Sequence, residues 1–178
     1  MTTTTQTNGD YRTSYFNYMG QVKDDVLYLD EHIDFGFLII TGTKILVVLA
    51  EIGSICHMAF AEQGKGYSIL VFIIFTLILF FHKHFPFNIK HKAIIKMRSD
   101  LENLFLEADK SWFKVNEGKT SPEETHELIS KFSKKEKKIK DQFFQTYKLD
   151  EDKKYREKSI ENKETFFINK YQGASYEQ

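Results

Sequence analysis

The sequence is short of the residues that usually announce a chemistry. It holds one cysteine, one tryptophan and two prolines in 178 residues. The single thiol, Cys56, cannot close an intramolecular disulfide, and no cysteine-based zinc site can form around it. No glycine-rich phosphate loop and no serine elbow occurs. His32, His91 and His126 are scattered, and His82 and His84 have no carboxylate or thiol in sequence reach, which leaves no metal-ligand set. These absences read as a protein that is not an enzyme and that uses no cofactor or metal. The opening Thr2–Gly9 lacks both the basic start and the apolar core of a signal peptide, and residues 1–10 read as a disordered N-terminus. Neither end matches a lipidation pattern. Net charge is lacking as well, since 25 Lys and Arg stand against 25 Asp and Glu.

That balance hides two unlike halves. Residues 33–87 are rich in Ile, Leu, Val and Phe, whereas residues 88–171 are crowded with Lys and Glu. A helix needs about 20 mainly apolar residues to cross hydrocarbon, and only a helix satisfies its own backbone there. Ile33–Phe60 is long enough, although Lys44 and Glu51 interrupt it. Ser68–Phe81 is a dense apolar run, opened by Tyr67 and closed by His82, Lys83 and His84. Spans are therefore expected at about 35–60 and 67–85. Pro86 predicts a kink or break at Phe85. The fold class expected is an all-α membrane protein. A two-helix transmembrane hairpin (33–87) stands between an N-terminal helix (11–32) and a helical C-terminal region (88–171), with a flexible tail at 172–178. The short glycine-bearing connection Ala61–Gly66 suits a tight turn. After the second span come Lys83, Lys90, Lys92, Lys96 and Arg98, with no acid until Asp100. Such an excess marks the cytoplasmic side, so both termini are expected in the cytoplasm of a multi-pass protein.

The first span carries a polar stripe. At about 100° per residue, Lys44 and Glu51 fall within about 20° of each other, with Gly36, Thr43 and Ser54 on the same side. Gly42 and Gly53 nearly superpose on the opposite, apolar wall. Three readings stay open. The charges snorkel to the interfaces, they pair structurally, or Thr43, Lys44, Glu51 and Ser54 line a pore or an inter-subunit seam. Glu51 as a proton site is a further, weaker alternative.

The charged half reads as three helices. Ile94, Met97, Leu101, Leu104, Ala108 and Trp112 recur at helical steps. Asn116–Lys119 breaks the pattern, and Ser121, Pro122 and Glu124 form a helix start of the capping-box type. Leu128, Phe132, Ile139 and Phe143 mark the buried side of that helix. Its basic stretch Lys131–Lys140 is a solvated face in preference to a lipid or nucleic-acid contact, and acids from Asp150 to Glu164 are placed to neutralise it in an antiparallel pair. No nucleic acid is expected as a partner. A last helix covers about 150–171, marked by Tyr155, Phe166, Phe167 and Tyr171. Tyr11–His32 is helical too, with Tyr15, Val22 and Val26 available for packing.

This order of parts resembles the SLATT family, the two-membrane-span domains that accompany bacterial nucleotide-signal defence systems. The resemblance is carried by FFHKHFPFNIKHKAIIKMRSDLENLFLEADKSW, which is similar to the basic helix leaving the second span, and by SPEETHELISKFSKKEKKI, similar to the helix that follows. It covers about residues 12–171. It implies an oligomeric effector of the bacterial inner membrane that permeabilises the bilayer when a defence system is triggered. A sensor or nucleotide-signal protein would then be a partner beside the lipid bilayer and further copies of the chain. The alternative is a membrane anchor or scaffold that recruits a cytoplasmic partner through its helical C-terminal region.

Overall fold

Asp10 opens a helix that does not stop where the apolar segment begins. In the computed structural model α1 runs unbroken from Asp10 to Phe60, with no proline to interrupt it. It is followed by α2 (Lys65–His82), α3 (Pro86–Asn116), α4 (Pro122–Phe144) and α5 (Lys153–Phe167), and the last helix closes in a π-helical turn, Ile168–Gln172. The structure describes residues 10–60, 65–82 and 86–172, and no strand occurs among them. Of the disordered start expected for 1–10, Asp10 is helical and the rest lies outside the described residues, as do most of the Ala61–Gly66 turn, Lys83, the break at Phe85 and the tail beyond Gln172. α3 begins on Pro86, where a missing amide proton costs nothing because the first turn leaves it unpaired.

The chain divides into two units: residues 1–32 with 94–178, and residues 33–93. In the first unit the opening of α1 supplies Tyr15, Met19, Val22, Val26 and Leu29, all almost fully buried. α3 meets them with Ile94, Met97, Leu101, Leu104, Phe105 and Ala108, and α4 adds Phe132 and Phe143. Each such side chain contributes about 1.5–3 kcal/mol through area removed from water. The opening of α1, residues 10–32, is thus part of the same core as the C-terminal helices. Aromatic contacts extend it: Phe16 packs edge-on against Phe167 and Tyr171 and tilted against Trp112.

Local chemistry sets the helix ends. α3 stops in a Schellman motif, with Lys119 N–H on the Lys114 carbonyl at 2.9 Å and Gly118 N–H on that of Val115 at 3.1 Å. Gly118 has φ +70, a conformation that suits glycine. α4 starts in a complete capping box: the Ser121 hydroxyl accepts from Glu124 N–H at 3.1 Å, and the Glu124 carboxylate accepts from Ser121 N–H at 2.8 Å. Asp152 caps α5, accepting from Lys154 N–H at 2.9 Å. The Tyr28 hydroxyl holds the preceding connection to α1, accepting from Asp152 N–H at 3.0 Å and donating to the Asp150 carbonyl at 3.3 Å.

The ion pairs differ from the sequence expectation. The basic stretch of α4 is not neutralised by α5. Lys140 pairs with Asp25 of α1 and with Glu136 on its own helix, and Lys135 pairs with Glu107 of α3. The reason lies in α1, where Asp24, Asp25, Asp30 and Glu31 collect cations from three helices: Arg156 and Lys158 (α5), Lys140 (α4) and Arg98 (α3). Arg156 also stacks over Tyr28, 4.2 Å from the ring centroid. With its inward face turned to α1, α5 leaves Glu157, Glu161 and Glu164 exposed.

Candidate functional site

In the second unit, residues 33–93, α1 shows two unlike walls. Gly36, Val47 and Ser54 are buried, and Ile40, Ala50 and Glu51 are half-buried. These residues fall within about 100° of one another around the helix. The opposite wall is apolar and open: Leu46 is 66% exposed against 4% for Val47, and Phe37, Leu38, Ile45, Leu49 and Ile52 are all more than half exposed. Of the polar stripe read from the sequence, Glu51 and Ser54 lie on the covered side of α1.

Each stripe residue has its own arrangement. The Thr43 hydroxyl donates to the Ile39 carbonyl and that of Ser54 to the Ala50 carbonyl, both at 2.8 Å. Back-bonding one turn earlier satisfies a hydroxyl without water. Glu51 reaches across to α2, its Oε1 lying 3.2 Å from the Thr76 hydroxyl. That hydroxyl is also 2.9 Å from the Phe72 carbonyl. A threonine has a single hydroxyl proton, so it donates to one of these acceptors at a time. Lys44 stands exposed at the edge between the walls and makes no ion pair with Glu51, two turns away. The structure thus brings Glu51 and Ser54 to the covered side and leaves Thr43 and Lys44 exposed. Thr76 was missed by sequence reading, although a lone hydroxyl inside Ile69–Phe81 is a visible signal.

The basic flank is divided as well. Lys90 is half-buried, Lys92 and Lys96 are exposed, and Lys83 lies outside the described residues. Arg98 is half-buried and committed to α1 within the first unit, its Nε and Nη2 donating to the two Asp30 oxygens at 2.8 and 3.2 Å. That bidentate bond, with further charge from Glu102, raises its pKa. His91 is buried against Gly36, where a Cβ would come within 2.4 Å of its Nδ1. Burial lowers the imidazole pKa. Among the described residues, no group of three His, Cys, Asp or Glu could hold a metal ion.

One described helix, α1, is long and apolar enough to cross a membrane by length and composition; its apolar stretch has a mean hydropathy of 2.0 and is 11% buried. No protein-family model matches this chain, nor does any curated protein or any solved structure.

Proposed function

We propose that the chain is an oligomeric effector of the bacterial inner membrane, which forms pores or disrupts the bilayer when an antiphage defence system is triggered. The observation that carries this reading is the exposed apolar wall of α1. Leaving such a surface in water costs about 25 cal/mol per Å². Hydrocarbon removes that cost, and the 26 residues of Phe35–Phe60 reach about 39 Å, enough to cross a core of about 30 Å.

The packing of the first unit supports two crossings. Residues before 33 and after 93 share one core, so the chain leaves and returns on one side of the membrane. The second crossing is the Tyr67–Phe85 segment, and the lysines that follow it put both ends in the cytoplasm. The likeness to SLATT proteins supplies the defence context and a sensor or nucleotide-signal protein as trigger. At rest the stripe closes onto α2 through Glu51 and Thr76, and opening exchanges that contact for ones between copies.

The test is membrane potential, followed by dye in bacteria expressing the wild type, Glu51→Ala or Lys44→Ala. Rapid depolarisation by the wild type alone, with all three proteins in the membrane fraction, is the expected result. Undiminished depolarisation by both variants overturns the charged-stripe pore. A wild type that stays silent even with its genomic neighbours present overturns the effector reading. The anchor reading then takes its place, with the packed first unit as the recruiting surface.

A further inference from the structure

α4 and α5 each turn one face into the first unit and one away from it. Thr125, Phe132 and Phe143 are buried on α4; on α5, Ser159 is buried and Arg156 reaches Asp24. The faces opposite are charged. On α4, Lys131, Lys134, Lys138 and Asp141 are exposed and follow one another at steps of three, four and three residues. On α5, Glu164, Glu161, Glu157 and Lys154, read backwards along the chain, are exposed and follow at the same steps. Side chains so spaced share one helix face.

Laid antiparallel, the two stripes oppose Lys131 to Glu164, Lys134 to Glu161, Lys138 to Glu157 and Asp141 to Lys154. The signs are opposite at every position over about 15 Å. In parallel the steps match as well, but Lys131 then meets Lys154 and Asp141 meets Glu164, like charge against like at both ends. Among the described residues none of these eight side chains makes an ion pair within the chain. Like charges three and four residues apart repel and weaken each helix on its own. A surface of the opposite sign and the same spacing relieves both.

We propose that the α4 stripe of one copy docks antiparallel on the α5 stripe of a second copy. The contact is head-to-tail: each copy keeps one unused stripe of each sign, so the contact repeats, closing a ring where the rotation allows it. Exposed ion pairs are individually weak. The contact acts between copies already concentrated in one membrane, where it sets register and direction. It rests on the oligomeric reading above and names its inter-copy surface.

Site-specific cross-linking of the full chain in membranes tests this without reference to membrane damage. In a Cys56→Ala background, copies carrying Lys134→Cys are co-expressed with copies carrying Glu161→Cys. A cross-linked dimer is expected, and pairing Lys134→Cys with Asn162→Cys, which lies off the stripe, gives much less. With the reporter cysteines at Asp141 and Lys154, reversing Lys131, Lys134 and Lys138 to Glu lowers the dimer yield by about tenfold. Reversing Glu157, Glu161 and Glu164 to Lys in the same chain restores it, which also shows that the variant folds.

Equal cross-linking at 161 and 162, a bridge formed only within one chain, or indifference to charge reversal overturns the proposal. So does a lysine reversal that leaves the dimer intact but removes salt-sensitive binding to vesicles of anionic lipid, because the occupant of the stripe is then a lipid surface. A charge-dependent dimer in cells that never depolarise leaves the contact standing and removes the pore.

Discussion

The Thr76 hydroxyl lies 3.2 Å from Glu51 Oε1, joining α2 to the polar side of α1. This bond links the covered face of one apolar helix to the next. In the membrane proposed above, hydrogen bonds between helices average about 0.6 kcal/mol and reach about 1.7 kcal/mol. Glu51→Ala and Thr76→Val are each expected to lower stability by about 1 kcal/mol. The double variant should cost little more than either alone, and Glu51→Gln, which still accepts, should lose least. Denaturant titration of the purified protein in micelles measures the coupling, and additive losses would show that the contact contributes nothing.

A harsher result is expected at Lys23. Its side chain is 7% exposed and pairs with Glu102 at 3.1 Å, and its Nζ lies 4.6 Å from the Phe166 ring centroid. Removing Glu102 leaves a buried ammonium without its carboxylate, which typically costs about 3–5 kcal/mol. Lys23→Met keeps the stem and removes the charge, so it should be milder by about 1 kcal/mol or more. Comparing thermal unfolding of Glu102→Ala and Lys23→Met decides this, and a harmless Glu102→Ala would mean that the lysine finds water.

Local features of the first unit were legible in the sequence because they depend on near neighbours. Ile94, Met97, Leu101, Leu104, Ala108 and Trp112 were read as one face; the first five are buried and Trp112 is half-buried. The Ser121–Glu124 capping box was read from four residues and is present with both bonds. The partners across space were not legible. Nothing local tells Lys140 that its acid is Asp25 rather than a residue of α5, because that choice follows from which helix α1 meets. The stripe had the same limit: helical phase put Thr43, Lys44, Glu51 and Ser54 on one side, but only Glu51 and Ser54 are covered, and Thr76 as the group opposite Glu51 needed the fold.

The same dependence predicts the behaviour of a fragment. A chain that begins at Asn88 lacks Tyr15, Met19, Val22, Val26 and Leu29, all of which are almost fully buried in the first unit. Such a fragment exposes the facing side of α3 and is expected to aggregate or to unfold without a cooperative transition. Joining residues 10–32 to 94–172 by a flexible linker should restore a folded soluble unit. Circular dichroism and thermal melting of both proteins test it, and a cooperative melt from the Asn88 fragment would contradict the shared core.

At the α3–α4 turn, Gly118 combines φ +70 with an Arg12 side chain 2.8 Å from where a Cβ would stand. An alanine there meets both backbone strain and a neighbour that must move. Gly118→Ala should therefore cost about 1 kcal/mol or more. The arginine is long and able to move, so most of the loss should persist in Gly118→Ala with Arg12→Ala. Full recovery in the double variant would place the cost in the contact instead of the backbone.

His91 gives the pH dependence. Burial beside Gly36 holds its pKa below the ordinary 6.5. The unfolded chain therefore binds a proton at a higher pH than the folded one does. Stability from the buried neutral ring is complete above the ordinary value and declines as pH falls through it toward the lowered folded value. His91→Gln should flatten the part of the stability profile that falls between pH 7 and pH 5, and Gly36→Ala, by displacing the ring toward solvent, should shallow the same slope. Thermal unfolding of the three proteins across that range, read as differences from the wild type, isolates this group from the carboxylates that titrate lower. A wild-type slope unchanged by His91→Gln would assign the acid sensitivity to another residue.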